Sequence, residues 1–89
     1  MQTSSELLVA LPHDVDLHAR PAAEFVRTAM GFGSKLTVAA GEREADAKSL
    51  LAILALGAKR GSTLRLTADG DDADAAVDAL GACVAGLTE

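Results

Sequence analysis

Three stretches of the chain carry the signals of helices. The first begins near Pro21 and ends before Gly31 and Gly33, and its apolar stripe has helical spacing: Ala22, Phe25, Val26, Ala29 and Met30. The last follows Asp72, a residue type that favours helix N-caps, and its apolar stripe is Ala73, Ala76, Val77, Leu80, Cys83, Val84 and Leu87. Between them, the run 49–56 is rich in Ala and Leu, starts at the candidate N-cap Ser49 and stops before Gly57, which predicts a short helix.

Four other segments have the length and alternation of β-strands. They are residues 6–11, which Pro12 ends, then 35–40, 42–46 and 63–68, with Gly41 turning the chain between the second and the third. The order is therefore β-α-β-β-α-β-α. In so short a chain this order favours an α+β fold, with a four-stranded antiparallel sheet covered on one face by three helices. The polar residues that alternate in the later strands suit an open, solvated second face.

Composition narrows the kind of protein. The 89 residues are too few for more than one domain, so we expect residues 1–89 to form a single unit. A formal charge of −5 and an aromatic content of 2% argue against a nucleic-acid binder. The chain has no apolar run long enough to span a membrane and no secretory signal pattern, so we expect a cytoplasmic protein. The single cysteine, Cys83, excludes an internal disulfide and reads as a small core residue.

The candidate reactive residues, a histidine and an arginine, lie at the start of the first long helix. If His18 is the N-cap, then Ala19 and Arg20 are the first helical residues and Pro21 follows where its missing amide is tolerated. The unpaired amides and the dipole at such an end favour a bound phosphate, and the guanidinium of Arg20 matches phosphate oxygens. A neutral imidazole can attack a phosphoryl group without a separate base. The pattern therefore predicts a phosphate site with His18 as nucleophile.

From these residues alone, an ordinary surface cap is the competing interpretation of His18. No paired Ser–His or His–Asp arrangement supports hydrolysis. His13 and His18 lie five positions apart without further ligands, so we predict no metal site, and a solvent-exposed loop position is the expected place of His13.

Three segments in register resemble the HPr family, the histidine phosphocarriers of the bacterial sugar phosphotransferase system. They are LHARPAAEFV at 17–26, DAKSLLAILALGAKRG at 46–61 and LRLTADGDDADAAVDAL at 64–80. The resemblance covers residues 6 to 86. It implies an open-faced β-sandwich with four antiparallel strands and three helices, in the order derived above.

The resemblance also implies roles for the residues at the helix start. His18 matches the histidine that enzyme I phosphorylates on Nδ1, with phosphoenolpyruvate as the original donor, and the phosphoryl group then passes to the IIA units of sugar permeases. Arg20 matches the arginine that clamps the phosphate, and the backbone of Ala19 and Arg20 would hold it. Such a protein is a monomeric carrier rather than a turnover enzyme, and needs no cofactor, metal, nucleic acid or membrane.

The remaining implied sites are regulatory and docking residues. Ser49 matches a serine that an HPr kinase phosphorylates in some bacteria, a mark that a transcriptional regulator can read. The predicted docking surface beside the histidine comprises Phe25, Arg27, Leu50, Leu51 and Leu54. Exposed apolar patches of this kind mark partner sites, whereas burial in the core is the alternative for the leucines.

The sequence also departs from the family pattern. Asp16 stands where the family usually has glycine, and with Asp14 it brings two carboxylates close to a group that must accept an anion; we expect this to disfavour phospho-His18. Asp46, three before Ser49, replaces a frequent asparagine and would oppose phosphate on that serine. Alternatives to a general carrier are a specialised carrier for a fructose, dihydroxyacetone or nitrogen-regulatory branch, or a docking module without phosphotransfer.

Overall fold

The computed structural model describes residues 3–88 and confirms the predicted order of elements. The strands are β1 (Ser4–Ala10), β2 (Lys35–Ala40), β3 (Arg43–Asp46) and β4 (Thr63–Asp69), and the helices are α1 (Ala19–Met30), α2 (Leu50–Leu56) and α3 (Ala73–Ala85). Strand β1 is shifted from the predicted 6–11 because its first residues, Ser4 and Ser5, pair with the end of β4. No helix in residues 3–88 combines the length and apolarity needed to cross a bilayer.

The four strands form one antiparallel sheet in the order β1-β4-β2-β3. The last strand in sequence is therefore inserted between the first two. Leu66 of β4 stands opposite Leu7 of β1 on one side and Val38 of β2 on the other. The sheet closes only when the chain's last third pairs with both earlier strands.

One face of the sheet and the apolar stripes of the helices enclose the core. On β4 the alternating residues Leu64, Leu66 and Ala68 are fully buried, as is Phe25 of α1. Arg65, between Leu64 and Leu66 on β4, is exposed instead. Its guanidinium nitrogens lie 3.8 Å from carboxylate oxygens of both Glu6 and Glu44. Alternation along the strand therefore separates a dry face from an open, charged face, as predicted.

The short helix α2 has the ends that the sequence predicts. The Ser49 hydroxyl accepts a hydrogen bond of 3.2 Å from the Ala52 amide, and Gly57 ends the helix in the left-handed conformation with φ +64°. Arg43 of β3 donates from Nη2 to the Ala55 carbonyl at 3.0 Å, which satisfies a carbonyl of the last turn. Helix α2 is thus capped at both ends and tied to the edge strand.

The start of α3 corrects one expectation in detail. Asp72 occupies the N-cap position, but within the described chain its carboxylate does not cap α3. It accepts hydrogen bonds from the Gly33 and Ser34 amides, at 2.9 and 3.0 Å, and from the Ser34 hydroxyl. These hydrogen bonds hold the pKa of the Asp72 carboxyl below its usual value, and the bond from the Ser34 hydroxyl has the largest effect. The carboxylate links α3 to the residues that lead into β2, because the donors there lie directly across the turn.

Cys83 is half-buried rather than enclosed in the core, although it packs against core residues. It lies near the end of α3, where the apolar stripe meets solvent. The prediction of a small packed side chain is therefore confirmed only in part.

Candidate functional site

His18 lies at the junction between a loop and the N-terminus of α1. Its backbone is extended, with φ −147° and ψ 165°, and its carbonyl accepts the Ala22 amide at 3.3 Å. It is the N-cap of α1, as predicted, yet its imidazole makes no capping hydrogen bond within residues 3–88. The side chain is exposed to solvent. The ring is therefore placed at the positive end of the helix without being used to close that end.

The residue after His18 has an unusual backbone conformation. Ala19 has φ +48°, in the left-handed region that side chains with a Cβ adopt at a cost of roughly 1–2 kcal/mol. Pro21, two residues later, is buried and removes an amide that the first turn would leave without an intrahelical partner. The chain thus turns abruptly into α1 directly beside the histidine.

The loop before His18 is held in place by the core and by backbone hydrogen bonds. Val15 and Leu17 are each only 1% exposed. The Leu17 amide donates to the Ala58 carbonyl at 3.0 Å, and the His18 amide donates to the Asp16 carbonyl at 2.9 Å. Because alternate residues of the loop are anchored inside, His18 is presented outward from a fixed backbone.

Asp16 is bound by an arginine far away in the sequence. Its Oδ1 accepts the Arg60 backbone amide at 2.8 Å and Nε at 3.4 Å, and its Oδ2 accepts Arg60 Nη2 at 3.2 Å. Hydrogen bonds from the Arg60 side chain, and then from its backbone amide, lower the pKa of the Asp16 carboxyl. The carboxylate that was expected to oppose an anion on His18 is therefore already engaged by a cation.

A cavity of about 330 Å³ opens beside His18. Two segments line it, residues 16–19 and residues 57–59, so the site combines the start of α1 with the loop that follows α2. Lys59 is the cationic residue of this lining, and no motif in the sequence pointed to it. Arg20 is exposed at the second position of α1 and is not among the lining residues. A cavity of this volume is large enough for an anion the size of phosphate, and the helix terminus at its edge favours negative charge.

The predicted docking residues divide into two groups. Leu51 is 81% exposed, Leu50 is 42% exposed, Arg27 is exposed and Leu54 is half-buried. Phe25 is 0% exposed, so its prediction as a docking residue is wrong. It lies in the buried apolar stripe of α1 and belongs to the hydrophobic core, where an aromatic ring gains most from burial.

Ser49 is half-buried and its hydroxyl already serves as the cap of α2. Asp46 lies next to it, and it accepts the Lys48 amide on its carboxylate at 2.9 Å and the Ser49 amide on its carbonyl at 3.1 Å. Regulatory phosphorylation of Ser49 stays a prediction. His13 is exposed, and no cluster of three or more His, Cys, Asp or Glu side chains suited to a metal occurs in the described part of the chain.

Fold and site define a small α+β domain with an exposed histidine at the N-terminus of its first helix. Residues 6–86 match the family model PTS-HPr, described as the PTS HPr component phosphorylation site. The chain belongs to this HPr family.

Similar proteins include separate carriers and much longer chains. The chain is 44% identical over 68 residues to the phosphocarrier protein HPr of Haemophilus influenzae, a match that covers 76% of this chain and 80% of that protein. It is 44% identical over 72 residues to a multiphosphoryl transfer protein of Xanthomonas campestris, covering 81% of this chain but only 9% of that protein. The crystal structure of HPr-C-His from Thermoanaerobacter tengcongensis superposes with a TM-score of 0.87 at 37% identity, covering 91% of both chains.

Proposed function

We propose that this chain is a phosphocarrier of the phosphotransferase system, accepting a phosphoryl group on His18 from phospho-enzyme I and passing it to IIA components. The observation that carries the proposal is the exposed His18 at the start of α1, beside an anion-sized cavity, in a chain of the HPr family. In the forward step the lone pair of Nδ1 attacks phosphorus and the bond from phosphorus to the donor breaks, with its electron pair returning to the donor. The reverse sequence on a IIA acceptor regenerates the neutral imidazole.

The helix terminus stabilises the charge that the transfer delivers. The first-turn amides of Ala19 and Arg20 have no intrahelical acceptor, and the dipole of α1 adds a partial positive charge at the same end. The guanidinium of Arg20 clamps the phosphoryl oxygens in this proposal, since its planar fork matches them. The amides and the dipole belong to the folded helix before the transfer begins, so little reorganisation of the helix terminus opposes it.

Phosphorylation by purified enzyme I and phosphoenolpyruvate tests the proposal. The wild-type protein should acquire one phosphate that is labile in acid and stable in alkali, the signature of a phosphohistidine. His18→Ala should acquire none, whereas the matched control His13→Ala should be labelled like the wild type. Failure to label the wild type, or labelling of His18→Ala, would contradict the proposal.

The docking surface is proposed as the part of the carrier that both partners contact. Without the buried Phe25, the predicted surface comprises Arg27, Leu50, Leu51 and Leu54, and its most exposed apolar side chain is Leu51. Its apolar side chains lie on α2, which packs against α1, the helix whose N-cap is His18. A partner can therefore cover them while its own reactive group reaches the histidine.

A pair of equal substitutions tests this surface. Leu51→Ser should raise the KM of enzyme I for the carrier by roughly threefold to tenfold and leave kcat nearly unchanged, because it removes contact area and no chemistry. Leu8→Ser is the control, since Leu8 is 65% exposed on the β1 strand of the sheet. Equal effects of the two changes on KM would show that the surface has no special role.

A further inference from the structure

Lys59 lies between two hydrogen bonds that join its loop to the residues just before His18. On one side the Ala58 carbonyl accepts the Leu17 amide at 3.0 Å, and on the other the Arg60 amide donates to Asp16 Oδ1 at 2.8 Å. The backbone of Lys59 is therefore fastened at both neighbours. A residue held in this way has a restricted range of positions relative to His18.

The two cationic residues of this loop, Lys59 and Arg60, have different surroundings. The side chain of Arg60 is directed to Asp16 by hydrogen bonds from two of its nitrogens. Lys59 lines the cavity together with His18 and Ala19. An ammonium group is a compact charge that can follow a phosphate as it arrives and leaves. Arg60 is thus engaged by Asp16, whereas Lys59, the residue before it, is the cationic residue of the cavity lining.

We infer that Lys59 binds the phosphoryl group carried on His18, and that Asp16 is the residue that positions it through Arg60. This inference rests on the proposed carrier function. It also means that Asp16 favours phosphate binding, although its negative charge alone would oppose it. A carboxylate near the site repels phosphate, but this one holds the loop that brings Lys59 to the cavity.

Inorganic phosphate binding to the whole, unphosphorylated chain tests the role of Lys59. Titration is followed by the shifts of the Leu17, Ala19 and Lys59 amide resonances. Lys59→Ala should weaken phosphate binding roughly threefold to tenfold, and Lys59→Arg should retain it, because a cation still reaches the cavity. Lys35→Ala is the matched control: Lys35 is exposed at the start of β2, outside the cavity lining, and its loss changes the net charge equally.

Two substitutions of Asp16 separate positioning from simple electrostatics. Asp16→Ala removes a negative charge, so electrostatics alone would strengthen phosphate binding, whereas loss of the bond to the Arg60 amide should weaken it. Asp16→Asn also removes the charge but keeps an acceptor oxygen for that amide, so it should bind phosphate at least as tightly as the wild type. Circular dichroism verifies that both variants are folded.

The outcomes are distinct. The role of Lys59 is overturned if Lys59→Ala binds inorganic phosphate as tightly as the wild type. It is also overturned if Lys35→Ala loses as much phosphate affinity as Lys59→Ala. Binding by Asp16→Ala that is as tight as that of the wild type overturns the positioning role of Asp16. The titration requires no phosphotransfer, so absence of a phosphohistidine on the wild type would refute the carrier function without deciding the role of Lys59.

Discussion

Gly70 is the position where a single added carbon should destabilise the fold most clearly. It lies in the turn between β4 and α3 with φ +150°, a region that residues with a side chain rarely adopt. A Cβ built there would lie 2.5 Å from Ser34 Oγ, 2.8 Å from Ser34 Cα and 2.9 Å from Ser34 Cβ. Rotation of the serine hydroxyl can relieve only the first of these clashes. Relief of the clash with the Ser34 main chain requires movement of backbone that Asp72 holds by two amide hydrogen bonds.

The structure supplies a matched control for the magnitude. Gly41, in the turn between β2 and β3, has φ +62°, and nothing lies within 4 Å of a Cβ built on it. Gly41→Ala should therefore lower the free energy of unfolding only by the conformational penalty of a positive φ, roughly 1–2 kcal/mol. Gly70→Ala, at a φ that is essentially restricted to glycine, carries at least that penalty plus roughly 1–3 kcal/mol of overpacking against Ser34. A domain of this size has a total stability of about 4–13 kcal/mol, so the second loss is a large fraction of it.

Equilibrium unfolding in urea, followed by far-ultraviolet circular dichroism, measures the difference. The chain has no Trp or Tyr, so intrinsic indole or phenol fluorescence cannot report the transition. With a slope near 1 kcal/mol per molar urea, the midpoint of Gly70→Ala should lie about 1–3 M below that of Gly41→Ala. Coincident midpoints would refute the reasoning, because they would mean that the Ser34 backbone moves aside at no cost.

Two further predictions concern the turn into α1 and the acid stability of the fold. Ala19→Gly should raise the free energy of unfolding by up to about 1 kcal/mol, because relief of the positive φ outweighs the added entropy of the unfolded chain. Ala23→Gly, in the same helix, should lower the free energy of unfolding. A lower free energy of unfolding in both variants would contradict the strain at Ala19. Asp72→Asn should flatten the decline of the urea midpoint in acid. The hydrogen bonds to Asp72 depress its folded pKa, so their contribution is present above the unfolded value of about 3.9 and is lost as pH falls through the lower folded value. Midpoints measured from pH 7 to pH 2 check this, and identical slopes for wild type and variant would exclude it.

Local signals were sufficient to predict the elements and the N-terminus of α1. Periodicity located every helix and strand to within about two residues, and the positions of Ser49 and Gly57 predicted both ends of α2. The same periodicity contained the correction for Phe25, because that residue belongs to the buried stripe of α1. The prediction of Phe25 as a docking residue came from resemblance and conflicted with the helical spacing that is visible in the chain itself.

Long-range pairing is what the sequence could not supply. The insertion of β4 between β1 and β2 depends on the combined hydrogen-bonding of three strands, and no local pattern encodes it. Asp72 shows the same limit on a smaller scale. Its residue type and place predicted an N-cap, yet its carboxylate bonds to Gly33 and Ser34, about 40 positions earlier, because folding brings their donors closer than those of its own helix.

Asp16 shows how such a distant contact can reverse a functional argument. In sequence, a carboxylate two residues before His18, the proposed phosphate acceptor, counts only as a repulsive charge. In the structure, Arg60 meets this charge with its backbone amide and its guanidinium, and Lys59 beside it lines the cavity. The local sum of charges is therefore +1 for Asp16, Lys59 and Arg60 taken together, rather than −1 for Asp16 alone. The effect of Asp16 on the proposed anion site therefore depends on cations 43 and 44 residues away, and the carboxylate can be judged only together with them.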